Sequence, residues 1–292
     1  MRPWAQRAML ALMALAARLP LPVVRGMGWV MGHVLLWLVP KRRKVARVNL
    51  QRCFPGMAKE ERARLLRQHF VCFAQAWLDR GWLWMAPEAT VRQRVRLTGA
   101  VEALRGDAPT LVFGPHFVGL DAAWMALLLH VPRRCCGLYA RQEDVLIDAW
   151  MAEGRQRFGQ PLVVPKGDGV KPLAKALRQG MPLYLLPDMD HGLRDSVWAT
   201  FFGVSAATLT SLPRLADLGK AKVMAVRAEL TPQGYDVHVL PAWSDYPTAD
   251  VHADVQRMNH ELEHMVNQQP AQYFWVHKRF KTRPQGESSF YG

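Results

Sequence analysis

Acidic residues are scarce: 24 Asp and Glu face 38 Lys and Arg over 292 residues, a formal net charge of +14. That surplus suits an anionic partner or an anionic membrane surface. Cysteine is rarer still. The four, Cys53, Cys72, Cys135 and Cys136, contain no Cys-x-x-Cys pair, and adjacent cysteines seldom close a disulfide, so a disulfide scaffold is excluded and a reducing compartment is expected. No uninterrupted apolar run reaches the roughly 18 to 20 residues of a clean spanning helix, which excludes a polytopic membrane protein but not membrane contact. Internal repeats and low-complexity linkers are missing as well. With half of the residues apolar, a disordered or collagen-like chain is excluded, and the length allows one large or two small domains.

The first forty residues carry the membrane signal. Ala8 to Leu19 is nearly all apolar, bracketed by Arg7 and Arg18 and stopped by Pro20 and Pro22. A second apolar stretch, Gly26 to Val39, holds Trp29 and Trp37 and runs into Pro40 and the basic group Lys41, Arg42, Arg43, Lys44 and Arg47. Tryptophan beside arginine is typical of an interfacial anchor. A secretory signal lacks a small-x-small cleavage site before the second stretch, and two ordinary buried helices are the bland alternative. The expectation is an anchor over residues 1–40 and a single domain over residues 41–292, held at the cytoplasmic face of a membrane, where basic flanks meet anionic lipid.

Beyond the turn Phe54-Pro55-Gly56, apolar positions Leu65, Leu66, Phe70, Phe73, Trp77 and Trp82 recur at helical spacing, predicting one long or broken helix from Lys59 to Met85. From Thr110 the texture becomes short apolar strands at 110–114, 135–140, 161–164, 182–187 and 222–228, separated by helical runs at 120–129, 143–158, 170–178 and 210–218. This alternation predicts an α/β domain with a mostly parallel or mixed sheet flanked by helices. Pro213 is tolerable in the first turn of a helix with Thr210 as N-cap. An edge hairpin near 234–240, a helix near 250–267 and a last strand at 273–276 complete the expectation.

The sharpest chemical signal is Gly114-Pro115-His116-Phe117-Val118-Gly119-Leu120-Asp121, in which a strand ends, a turn exposes a histidine and a helix opens. A carboxylate in the first helical turns can reach back to one ring nitrogen, fix the tautomer and leave the other nitrogen as a base. Ten histidines and 24 acids make roughly 0.8 chance matches of His-x4-acid, so spacing alone also allows a structural histidine. Its position, at a strand C-terminus where α/β sheets collect ligands, favours chemistry. A second loop, Pro187-Asp188-Met189-Asp190-His191-Gly192-Leu193-Arg194, crowds two carboxylates, an imidazole and a guanidinium. Adjacent ligands rarely converge on one metal ion, so a turn with solvated acids competes and no metal is assigned. Arg141 and Lys166 also follow predicted strands and could hold a phosphate or form surface ion pairs.

Taken together, the segments at 41–55, 114–121, 185–210 and 272–284, with the Arg141 region, resemble the late acyltransferases of lipid A biosynthesis, the lauroyl and myristoyl transferases of the wider lysophospholipid acyltransferase group. The chain departs from that pattern in Asp121, where glutamate is usual, and in Asp188-Met189-Asp190. The resemblance implies that His116 is a general base oriented by Asp121, and that Arg141, Asp188 and Asp190, with Lys166 and Arg194 nearby, line the substrate site. It implies an acyl thioester donor, on acyl carrier protein or coenzyme A, and a lipid A precursor as acceptor, a lysophospholipid or other envelope lipid being the alternative. No cofactor is required, because a thioester is already activated. Arg141 is the candidate donor to the tetrahedral oxyanion. Basic residues gather beside apolar stretches rather than in a reader motif, so nucleic acid is not expected. A non-catalytic membrane scaffold is the reading from another class.

Overall fold

Proline and apolar spacing shape the N-terminal third of the chain. In a computed structural model, which describes residues 3–292, helices α1 (Pro3–Arg18), α2 (Leu21–Leu38), α3 (Pro40–Cys53) and α4 (Lys59–Met85) come first. Pro22 and Pro40 occupy first helical turns, where a missing N–H costs nothing. The helix expected from Lys59 to Met85 is a single unbroken α4 of 27 residues, with Glu60 and Glu61 in its positively polarised first turn. It forms the spine of the molecule. Met13, Ala16 and Val24 bury against Leu78 on one side of α4, while Trp82 and Leu83 join Val226, Tyr235 and Val237 of the sheet on the other. Among the described residues α2 alone has the length and apolarity to cross a membrane, and 28% of it is buried.

After α5 (Glu88–Arg94) the chain alternates: β1 (Val95–Gly99), β2 (Thr110–Phe113), α6 (Leu120–His130), β3 (Cys136–Tyr139), α7 (Val145–Arg155), β4 (Leu162–Pro165), α8 (Lys171–Arg178), β5 (Leu183–Leu185), β6 (Ser196–Phe201), β7 (Val204–Leu209), α9 (Ser211–Gly219), β8 (Lys222–Thr231), β9 (Gly234–Ala242) and α10 (Val251–Gln268). Seven strands form one sheet in the order β1-β9-β8-β2-β5-β3-β4. Every pairing is parallel except β8 with β9. The expected α/β architecture with a mostly parallel sheet is what the chain adopts. Its central strand β2 is wholly buried, as both faces of a parallel sheet must be when helices cover them.

Several local expectations change. The hairpin at 234–240 is not an edge, because β1 pairs outside β9. β6 and β7 form a separate antiparallel ribbon that strand spacing did not reveal. Thr210 stands at the N-cap of α9, but its hydroxyl donates to the Asp195 carbonyl rather than capping the helix. The apolar run at 273–276 is no strand: only Tyr273 bridges Phe117, and the N–H groups of Trp275 and His277 turn back to the Tyr273 and Phe274 carbonyls. Its hydrophobicity comes from burial of Tyr273 and Trp275 in the main core, not from a place in the sheet.

Candidate active site

The site follows from strand order. β2 and β5 are parallel neighbours with Phe113 opposite Leu185, and the Gly114 N–H continues the ladder onto the Leu185 carbonyl at 2.9 Å. Gly114 is obligatory, since a Cβ there would fall within the Tyr184 ring. Three residues past each strand end stand His116 and Asp188. His116 donates twice to that carboxylate, from Nδ1 to Oδ1 at 2.6 Å and from its backbone N–H to Oδ2 at 3.0 Å. Asp188 is completely buried and the His116 side chain is 17% exposed. Burial opposes ionisation of Asp188, but the His116 charge and its two hydrogen bonds, helped by the Arg279 charge, hold the carboxyl below the usual range. In the neutral ring, with the proton on Nδ1, Nε2 keeps a lone pair, and no protein group among the described residues bonds to it.

The nitrogen that the sequence reading gave to Asp121 is therefore taken by Asp188. Asp121 is buried in the first turn of α6 and faces two guanidinium groups instead: Arg80 Nε donates to Oδ2 at 2.8 Å, and Arg155 Nε donates to Oδ1 at 3.0 Å. Desolvation works against its charge, yet Arg155 and Arg80 outweigh it and keep the carboxyl below its ordinary value. The clamp carries two positive charges on one negative charge. Arg80 lines a narrow slot with Phe73 and Trp77 of α4, Phe117, Val118 and Phe274, beside the histidine.

The C-terminal segment closes the site from below. Phe274 N–H donates to the His116 carbonyl, and Val118 N–H to the Gln272 carbonyl. The Phe274 ring lies 6.4 Å from the imidazole. Asp190 is consumed structurally, accepting from Gly192 N–H, Thr282 N–H and Thr282 Oγ1, while its own N–H donates to His277 Nε2 at 3.1 Å. Burial, with the His116 and Arg279 charges, pushes His277 down to about 4, so it remains a neutral acceptor. Arg279 is buried with neutral partners only, the Ala207 carbonyl, Thr208 Oγ1 and Asn259 Oδ1.

The remaining sequence candidates are spread around the rim. Arg141 is exposed beyond β3, and Lys166 is exposed beyond β4. Desolvation, with the charges of Lys166, His116 and Lys281, pushes His191 below its ordinary value. Arg194 is 96% exposed, with Nε 3.8 Å from the Asp195 carboxylate. No cluster of three or more potential metal ligands occurs among the described residues. Arg80, Arg155, Thr282 and His277 escaped the sequence reading.

Comparison with known proteins gives one answer over nearly the whole chain. Residues 1–282 match the family model of bacterial lipid A biosynthesis acyltransferases. The lipid A biosynthesis lauroyltransferase of Escherichia coli K12 is 30% identical over 95% of this chain and 91% of its own length. The palmitoleoyltransferase of the same organism is 29% identical over 97% and 92%, and its myristoyltransferase 31% over 84% and 77%. A match of that extent, on an α/β sheet whose central loops converge on a histidine and a buried carboxylate, makes this chain an acyltransferase of the bacterial lipid A biosynthesis family.

Proposed function

We propose that the protein transfers a fatty acyl group from a thioester, on acyl carrier protein or coenzyme A, to a hydroxyl of a lipid A precursor, with His116 as general base. The observation that carries this reading is the short contact between His116 Nδ1 and the buried Asp188 carboxylate, with Nε2 left for substrate. An alcohol is almost fully protonated near neutral pH, and removing its proton as it attacks contributes typically about 10²- to 10⁴-fold. The O–C bond forms at the thioester carbonyl while the proton passes to Nε2. The tetrahedral intermediate then collapses, the C–S bond breaks, and the thiolate leaves with that proton.

Asp188 fixes the tautomer of the neutral imidazole and stabilises the imidazolium that forms, the role the resemblance gives to Asp121. Developing negative charge on the carbonyl oxygen needs donors. Arg80, pinned by Asp121 and open to the slot beside His116, is better supported there than the exposed Arg141. Arg141, Lys166 and Lys281 form a basic rim suited to an anionic carrier or headgroup. The apolar N-terminal helices, with exposed Trp4, Trp29 and Trp37, hold the enzyme to the inner membrane on its cytoplasmic side. An acceptor lipid then reaches the site without leaving its leaflet.

The test is transfer of labelled acyl groups to a lipid A precursor and, separately, to lysophospholipids, with wild type and His116→Gln. Transfer to the lipid A precursor that drops at least about a hundredfold in the variant is expected. Equal activity of the two proteins refutes the base assignment, and preference for lysophospholipid refutes the acceptor.

A further inference from the structure

A helix of 18 residues rises about 27 Å, close to the ~30 Å hydrocarbon core of a bilayer, so α2 could cross by length. Its contacts point elsewhere. Val24, Arg25, Gly28 and Gly32 are its buried face, and that face is locked onto α4. A Cβ on Gly28 would stand 2.6 Å from Gln75 Cγ, and one on Gly32 2.6 Å from Val71 Cα, so the two helices approach at a distance only glycine permits. Arg25 pairs with the fully buried Asp79 at 2.9 Å and donates to the Gly234 carbonyl at the β8–β9 turn at 3.2 Å. Further along, Leu35 and Leu36 pack against the main core. One side of α2 is therefore occupied by the body of the enzyme along most of its length.

The opposite side is apolar and bare. Val23, Val30, Val34 and Trp37 are 47%, 55%, 47% and 74% exposed, and their spacing puts them on one stripe. On α1, Trp4 and Leu15 are 68% and 50% exposed, with exposed Ala8 and Ala11 on the same line, while Met13 and Ala16 bury against α4. Exposed Arg7 and Arg18 stand on α1 itself, exposed Lys41 follows the end of α2, and the Arg43 guanidinium lies 5.5 Å from the centre of the Trp37 ring. An apolar stripe edged by cations matches the interface of an anionic leaflet.

We infer that α1 and α2 are a rigid in-plane platform that dips into one leaflet, and that α2 does not cross the bilayer. A spanning α2 would carry the α4 segment bearing Asp79 and Arg80, and the β8–β9 turn, into hydrocarbon, where charge and unpaired backbone are costly. The inference rests on the membrane attachment proposed above and adds its geometry. Because the platform is packed onto the spine that also supplies Arg80, the site is held at a fixed height over the lipid surface.

The test uses the full-length protein on vesicles of phosphatidylethanolamine and phosphatidylglycerol. Spin labels are placed singly through Val23→Cys, Val30→Cys, Val34→Cys and Trp37→Cys, and depth is read from collisions with oxygen against a water-soluble nickel chelate. The unmodified chain, three of whose four cysteines are buried, gives the labelling background. In-plane insertion is expected to place all four labels within about 5 Å of one another in depth, inside the outer ~10 Å of the leaflet. A profile in which Val30 or Val34 lies near the bilayer centre while Val23 and Trp37 are both shallow, at opposite interfaces about 20 Å apart along the normal, overturns the in-plane inference and leaves attachment standing. Labels that meet no lipid while the protein stays in solution overturn the attachment itself and the inference with it.

Discussion

Replacing Asp188 by asparagine tests the catalytic reading most directly, because the change preserves shape and removes one charge. The native carboxylate accepts both His116 N–H groups at 2.6 and 3.0 Å. An asparagine can satisfy the backbone donor through its carbonyl oxygen, but its amide then faces Nδ1 and donates to it. That reverses the tautomer and puts the ring proton on Nε2, where the base must be. Even with the tautomer retained, the imidazolium formed during attack loses its buried counter-charge. A pair near contact distance is worth about 4 kcal/mol at an effective dielectric near 20, and at 1.36 kcal/mol per decade this is roughly a thousandfold in kcat/KM. Single-turnover transfer from a labelled thioester, run on folded protein verified by circular dichroism, measures it. Asp188→Asn activity within tenfold of wild type would mean that Asp188 does not sustain the charge on His116, and the proposed mechanism would fail.

Asp121→Asn should act on stability more than on tautomer, because two arginines lose their common carboxylate; breaking such a buried arrangement costs about 3 to 5 kcal/mol, and a fall in melting temperature on the order of 10 °C is expected by calorimetry. Gly114→Ala should displace the histidine loop from Tyr184 and cut kcat/KM at least tenfold, and an unchanged rate would show that the loop has room to shift. Acid should destabilise in two stages, read as melting temperature against pH. His69 and His277 are both lowered by burial from 6.5 to about 4, so the unfolded chain takes up their protons first and stability falls as pH drops through that interval. The depressed carboxyls of Asp121 and Asp188 contribute fully above the usual carboxylate range, and their contribution is lost only as pH falls further, through their lower folded values. His69→Phe should flatten the first stage and leave the second.

Much of this architecture was legible in the residues. The long α4, the alternation after Thr110 and the place of His116 between a strand and a helix follow from periodicity and turn chemistry. The partner of His116 did not, for a definite reason. Periodicity locates strands but not their order, and the order β2-β5-β3-β4 decides that the loop bearing Asp188, 72 residues away, lies nearer than the acid five positions on. Asp121 faces Arg80 and Arg155 instead, and these come from helices whose docking no local pattern encodes. The run at 273–276 misled in the opposite sense, since hydrophobicity records burial without distinguishing a strand from an irregular segment wedged beneath a loop.

The matched offsets of His116 and Asp188 beyond paired strands also bear on how the chain can vary. Residues 120–182 leave β2, build the outer strands β3 and β4 of the same sheet and return at β5 beside β2, so changes of length in their outer loops can be absorbed on the periphery while the imidazole and carboxylate stay in register. Asp121 and Arg155, which pair with each other, lie inside that excursion with the exposed Arg141 and Lys166. The proton-handling pair and the segment between its halves are thus nearly independent modules. An insertion or exchange of the outer β3–β4 unit should alter which molecules reach the site long before it alters what happens to them there.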